Sequence, residues 1–340
     1  MFSSRSRAWA GAPILAGPMM SRAWALAILA LAGCAGVGTA TDAFDVVDVA
    51  PAGSERPDVP DAFTETGLVG QRPYRFRVPR RYDPTRPAPL VILLHGYGAS
   101  GAAQDFYFGF GRLAERRGFL YAYPDGARDA SGLRFWNAIP GLGAAGASLP
   151  DDLAYITAII DDMSARFNVD ARRVYLVGHS NGAFMAYRYA CEHPARIAAI
   201  AGLAGAMLAD PSACSPAVGV SILHIHGDAD TGISYSGGTM RRVPYLGGRG
   251  RPGRPVPYLG AVDSVARWAG FNGCGPLEPT ATALDLDSSL PDAETSVSRH
   301  NVCAGGAAEL WTIHAAGHLP AVAPEWASTV YDWLLAHARP

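Results

Sequence analysis

Ser180 stands between two glycines in the run Gly178-His179-Ser180-Asn181-Gly182. The run follows a short apolar stretch, Val174 to Val177, and precedes a stretch from Ala183 to Cys191 that reads as a helix. A serine on so tight a strand-to-helix turn carries its hydroxyl clear of the sheet, and glycines on both sides let neighbouring backbone approach. The start of the helix offers amide N–H groups to a developing oxyanion. Serine is a weak nucleophile at its own pKa, so acyl transfer from such a residue needs a base and a group that orients the base.

Two later stretches supply candidates for both. The apolar run Ile222 to Ile225 ends in His226-Gly227-Asp228-Ala229-Asp230, and Leu310 to Ile313 ends in His314-Ala315-Ala316-Gly317-His318. His318 is the expected general base, on a loop past the last strand. His314 is expected still to lie on that strand, with His300 in a polar connection and His337 on the terminal helix. Either Asp230 or Asp228 could orient the base, and spacing alone leaves the two open. The run Leu90 to Leu94 leads into His95-Gly96-Tyr97-Gly98. The expected oxyanion hole is the Tyr97 N–H together with the Asn181 N–H. Such a mechanism proceeds through an acyl-enzyme on a soluble ester and needs no cofactor.

Two rival readings use the same stretches. His224, His226 and Asp228 have a spacing that resembles the metal-binding run of metallo-β-lactamase-like hydrolases, and histidines two apart on a strand face the same way. The usual adjacent histidine is missing, since Ala229 follows, and further ligands are not evident. Alternatively the chain is a non-catalytic, lipid-anchored binding protein on a hydrolase fold, because fold does not guarantee activity.

The elements that must position these residues are legible in the apolar pattern. The runs 90–94, 174–177 and 222–225 are short, wholly or nearly apolar and bounded by glycine or proline, as strands buried on both faces of a parallel sheet are. Between the first two, Leu153, Ile156, Ile160, Met163 and Phe167 recur at helical spacing after Pro150, and Trp326, Val330, Trp333 and Leu334 do so after Pro324. Strands alternating with helices predict an α/β fold, in which working residues gather beyond the carboxyl ends of the strands. Residues 237–260 break the pattern. They are rich in Gly, Arg and Pro, repeat Val-Pro-Tyr-Leu-Gly, and read as a surface loop. Tyr97, Trp136, Tyr245 and Tyr258 are open between stacking on an aromatic or sugar group and ordinary packing.

Residues 1–34 read as a signal peptide. Arg22 precedes the apolar run Trp24 to Ala32, which is too short to span a bilayer comfortably. The run ends Leu31-Ala32-Gly33-Cys34, which resembles a lipobox with Cys34 as the acylated residue; an ordinary secretory signal is the alternative. Residues 35–65 are acidic and Pro-containing and read as a linker, leaving 66–340 for the catalytic domain. The expected location is therefore the cell envelope, through a lipid anchor, or the extracellular space. In an oxidising compartment Cys191, Cys214, Cys274 and Cys303 allow three pairings. Cys191–Cys214 and Cys274–Cys303 are favoured, because each links neighbouring segments. A formal net charge of −2 argues against a nucleic-acid partner, so the expected partner is an ester substrate.

The chain resembles the polyhydroxybutyrate depolymerase-like and feruloyl esterase group, within carbohydrate esterase family one of the α/β hydrolases. The resemblance rests on Leu94 to Gly98, Tyr123 to Gly126, Phe135 to Asn137, Gly178 to Gly182, His226 to Asp230, Trp268 to Cys274 and Gly317-His318, and covers roughly residues 66–338. It implies an eight-stranded, mostly parallel sheet, feruloyl, acetyl or hydroxyalkanoate esters as substrates, and Asp230 rather than Asp228 as the triad acid. The chain departs from the group in two places. No cysteine pair follows Trp136-Asn137, and Ala183 stands where glycine is common. No polymer-binding domain is expected after the catalytic domain, an expectation that favours soluble esters over solid polyester.

Overall fold

The computed structural model describes residues 64–139, 149–240 and 255–340. Residues 1–34 with Cys34, most of the linker, and Tyr245 with most of the 237–260 segment lie outside the described residues. The strands are β1 (Thr64–Val69), β2 (Arg72–Arg77), β3 (Ala88–Leu94), β4 (Leu120–Ala122), β5 (Ala127–Arg128), β6 (Arg134–Phe135), β7 (Val169–His179), β8 (Ala199–Leu203), β9 (Ser221–Gly227), β10 (Gly237–Met240), β11 (Val256–Leu259), β12 (Leu277–Leu284), β13 (Thr295–His300) and β14 (Ala308–Ile313). The helices are α1 (Gly101–Phe108), α2 (Phe110–Arg117), α3 (Asp152–Arg166), α4 (Asn181–Glu192), α5 (Ala261–Phe271) and α6 (Trp326–Ala336).

Ten strands form one sheet, in the order β1-β2-β4-β3-β7-β8-β9-β14-β13-β12. The six from β4 to β14 are mutually parallel, and an antiparallel pair extends each edge. The sheet is thus wider than the eight strands the resemblance implies. Thr64 and Glu65, read from sequence as linker, are the first residues of β1 and pair with Arg77 and Phe76.

The central strands are apolar on both faces because both faces are covered. Along β3, Leu90, Ile92 and Leu94 join one core and Val91 and Leu93 the other, as the two-residue period of a strand requires. The first core takes α3, α4 and α5 through Ile156, Met163, Met185 and Trp268; the second takes α1, α2 and α6 through Phe108, Leu113, Trp326 and Val330. Asp151 caps α3 by accepting from the Ala154 N–H at 3.0 Å.

Register brings the working ends together. Leu94 pairs with Gly178, Gly178 with Gly202, Leu203 with Ile225, and Gly227 with Ile313. The loops carrying Tyr97, Ser180, Asp230 and His318 therefore leave one rim of the sheet. The 237–260 segment is not wholly loop: β10 and β11 pair as an antiparallel ribbon, and Tyr258 is buried and accepts from the Ser234 N–H. His300 closes β13 rather than lying in a connection, and His337 caps the end of α6.

Both disulfides close loops of modest length, Cys191–Cys214 across 23 positions and Cys274–Cys303 across 29. Each should contribute roughly 3 kcal/mol through the unfolded chain. Non-reducing peptide mapping should recover these two pairs alone, and reduction should lower the thermal midpoint. Free thiols at all four positions in the oxidised, active protein would contradict the assignment.

Candidate functional site

The turn between β7 and α4 is held in a conformation that most residues avoid. Ser180 has φ 51° and ψ −118°, a cost of about 1–3 kcal/mol for a non-glycine residue. Its N–H donates to Leu203 O at 2.8 Å, and its carbonyl accepts from Phe184 N at 3.0 Å. Two glycines make the turn possible. A Cβ on Gly178 would stand 2.4 Å from the Gly182 carbonyl oxygen, and one on Gly182 would stand 2.2 Å from the Leu94 oxygen. The methyl of Ala183 fits because Gly202 and Gly205 face it without side chains.

Three residues far apart in the chain meet at this turn. His318 Nε2 lies 3.0 Å from Ser180 Oγ, and its Nδ1 lies 2.8 Å from Asp230 Oδ2. Asp230 Oδ1 accepts from the Gly232 and Ile233 amides at 2.7 and 2.8 Å. Burial alone would raise the Asp230 carboxyl. Hydrogen bonds from His226 and His318, the charge of His318 and the Ile233 amide outweigh it and hold the carboxyl below the ordinary range. Asp230 is thus held as a carboxylate through the neutral range. Such a chain can take the proton of Ser180 as its oxygen attacks an acyl carbon, and return it to a leaving alcohol.

His318 has no helix or strand to hold it, so its loop is tied from several sides. His179 donates from Nε2 to the His318 carbonyl at 3.2 Å, and the two rings lie 5.2 Å apart. Tyr107 donates its hydroxyl to Pro320 O at 2.5 Å. Ala229 N donates to Ala316 O at 3.1 Å, and a Cβ on Gly232 would crowd the imidazole at 3.1 Å. Sequence reasoning gave His179 and Tyr107 no role. A histidine inside the serine motif, at the end of an apolar strand, was a signal for the first. Tyr107 lies more than 200 positions from its partner, and no local pattern marks it.

The loops around Tyr97 and Asn181 are braced by the resemblance's other motifs. Asn181 accepts from the Trp136 N–H at 2.7 Å and donates to the Trp136 carbonyl at 3.0 Å. Trp136 Nε1 donates to His95 O at 3.0 Å, and the Gly126 N–H donates to His95 Nε2 at 2.9 Å. Trp136 is wholly buried and so belongs to the packing, as does Tyr258. Tyr97 is half-buried, its hydroxyl donating to Asp129 at 2.5 Å. Asn181 opens α4, where the first amides lack intrahelical acceptors.

The competing residues are engaged elsewhere. His314 lies one position past β14 rather than on it, is exposed, and bonds Asp228 Oδ2 at 2.8 Å and Ser296 Oγ at 3.0 Å. Ser296 sits within β13 opposite Thr312, with no turn or helix start beside it. His224 and His226 are wholly buried with their ring nitrogens 3.1 Å apart, while Asp228 faces His314 and the Ala315 amide. The metal-binding reading of His224, His226 and Asp228 therefore fails on donor geometry, since the two rings bond each other and the carboxylate turns away.

Buried neutral histidines make acid destabilising. Burial pushes His95 down to about 4; burial and then the charge of His318 push His179 down to about 3; burial and then His226 push His224 well down. The unfolded chain takes up these protons near pH 6.5 and the folded chain does not. Each imidazole should therefore remove about 1.4 kcal/mol of stability per pH unit below 6.5, down to its folded value. Denaturant unfolding at pH 7, 6 and 5 should show a steady fall, and a flat profile would contradict the burial of these rings.

With this geometry in hand, likeness to known proteins becomes informative. Residues 80–238 match the family described as esterase PHB depolymerase. NocK of Nocardia uniformis subsp. tsuyamanensis, a proposed esterase, is 32% identical over 52% of this chain and 51% of its own length. Feruloyl esterase B of Piromyces equi is 28% identical over 58% of this chain and 35% of its own length. The chain thus spans about half or less of these relatives. The solved acetyl xylan esterase from Aspergillus awamori superposes with a TM-score of 0.52 at 14% identity, over 80% of this chain and 98% of that one, a likeness of fold. The chain is an α/β-hydrolase-fold protein that carries, over residues 80–238, the sequence pattern of the esterase PHB depolymerase family.

Proposed function

We propose that this chain is an exported serine ester hydrolase. The observation that carries the reading is the imidazole of His318, within 3.0 Å of Ser180 Oγ on one side and 2.8 Å of Asp230 on the other. Ser180 Oγ attacks the acyl carbon as His318 Nε2 takes its proton, and Asp230 stabilises the imidazolium. His318 passes the proton to the leaving alcohol, then deprotonates the water that releases the acid. The N–H groups of Tyr97 and Asn181 receive the oxyanion. The substrates are soluble esters, feruloyl or acetyl esters of plant polysaccharide or hydroxyalkanoate oligomers; the names of the relatives support the feruloyl and acetyl esters, and the description of the matching family supports the hydroxyalkanoates.

Ser180→Ala should keep the fold and lower p-nitrophenyl butyrate turnover by roughly 10⁴-fold or more, with His318→Ala nearly as severe. Asp230→Asn should cost far more than Asp228→Asn. Retained turnover in Ser180→Ala, or the reverse ranking of the two aspartates, would overturn the mechanism. A panel of methyl ferulate, acetylated xylan and soluble hydroxybutyrate oligomers identifies the acyl group.

Export and a lipid anchor on Cys34 complete the proposal. The two disulfides support an oxidising compartment. The full-length protein expressed in a bacterium should fractionate with membranes and Cys34→Ser should be released. A wild type that is soluble after export would remove the anchor.

A further inference from the structure

Asp230 is met by a second imidazole, and that imidazole by a third. His226, buried on β9, has its Nε2 2.8 Å from the Ile233 carbonyl oxygen and 3.2 Å from Asp230 Oδ2. Both oxygens only accept, so Nε2 carries the hydrogen and shares it between them. A neutral imidazole has one N–H, so His226 Nδ1 must accept. The atom facing it, at 3.1 Å, is His224 Nε2, which therefore donates. His224 Nδ1 must then accept, and its partner at 2.8 Å is the hydroxyl of Tyr187 on α4. For neutral rings only this arrangement of protons satisfies all three contacts, and every donation points toward Asp230.

The placement follows from the sheet. The two-residue period puts His224 and His226 on the face of β9 that α4 covers, where Tyr187 is also buried. Trp268 and Tyr235 pack against the chain at 5.8 Å from Tyr187 and 5.7 Å from His226, and neither brings a charge. In so dry a place each hydrogen bond polarises the next.

We propose that Tyr187, His224 and His226 form a one-way chain of hydrogen bonds that donates to the Asp230 carboxylate and so sets the pH at which His318 becomes a free base. The three are positioning residues, acting through Asp230. Oxygen Oδ2 serves both His226 and His318. A carboxylate already drawing on His226 holds the His318 proton less tightly, so His318 works further into acid. The groups facing His318 are Asp230, Ser180 and His179; those facing Asp230 are His226, His318, the Gly232 and Ile233 amides and, at longer range, Tyr258 and His179. The kinetic consequence rests on the serine-hydrolase reading, whereas the proton arrangement does not.

The test is ¹⁵N-histidine NMR of the oxidised, full-length protein from pH 5.5 to 8, with a pH profile of kcat/KM alongside. His226 and His224 should each be protonated at Nε2 alone throughout. Tyr187→Phe removes the terminal donor, so the His318 titration midpoint and the acid limb of kcat/KM should both move up by ~0.3–1 pH unit. His224→Gln keeps a donor toward His226 that does not depend on Tyr187, so adding Tyr187→Phe to it should move the midpoint little further. A hydrogen on Nδ1 of either buried ring overturns the proposal, even if the variants fail to fold. So does an unmoved His318 midpoint in folded Tyr187→Phe, whatever its thermal stability, since a packing role alone would leave the midpoint in place. Absence of Ser180-dependent turnover in the wild type would instead defeat the hydrolase reading and leave the NMR result to stand.

Discussion

The structure turns on the backbone of Ser180, forced into a left-handed conformation between a buried strand and a helix. No side chain of that residue favours the turn. It persists because its N–H is bonded to Leu203, its carbonyl starts α4, and the strands on either side are locked in a parallel sheet. The close approaches at Gly178 and Gly182 leave no room for a Cβ, so the motif's glycines are steric requirements. Strain of this kind survives only where the surroundings over-determine it, and here the determining parts are the two cores pressed on the sheet's faces.

In the proposed mechanism, the polar groups around that fixed point are arranged for charge that appears only during reaction. Asp230 is ionised and saturated with donors, while His95, His179 and His224 are kept neutral by burial. Neutral imidazoles hydrogen-bond at a rim where a fixed positive charge would compete with His318 for the carboxylate. His179 holds the backbone of the His318 loop and His95 ties the Tyr97 loop to Gly126. Each thus serves as a brace, placed where the strands end.

The sequence made the strands that carry the site legible, because β3, β9 and the second half of β7 are buried on both faces and read as wholly or nearly apolar runs. It marked Ser180 through the glycines its turn requires, and the two cysteine pairs through their proximity along the chain. It left Asp228 against Asp230 open without the family resemblance, since residues two apart on a loop are separated only by which way the loop turns. His314 bonds Asp228 much as His318 bonds Asp230, so pair spacing carries no distinction; what differs is that one couple faces solvent and the other faces the serine. The edge strands β12 and β13 escaped notice because neither carries an apolar run: no residue of β12 is buried and Pro279 interrupts it, and Val297 is the one apolar residue of β13. The role of His226 was hidden by the same spacing that suggested a metal: two histidines on one strand face bond each other as readily as they share a cation.

Covalent labelling tests the central claim most directly. The oxidised protein would be treated with a fluorophosphonate, which reacts only with a serine whose proton is being withdrawn, and the adduct located by peptide mass spectrometry. The account predicts one stoichiometric adduct, on Ser180, that disappears when His318 is replaced. No adduct, or an adduct on another serine such as Ser296 with Ser180 untouched, would contradict it.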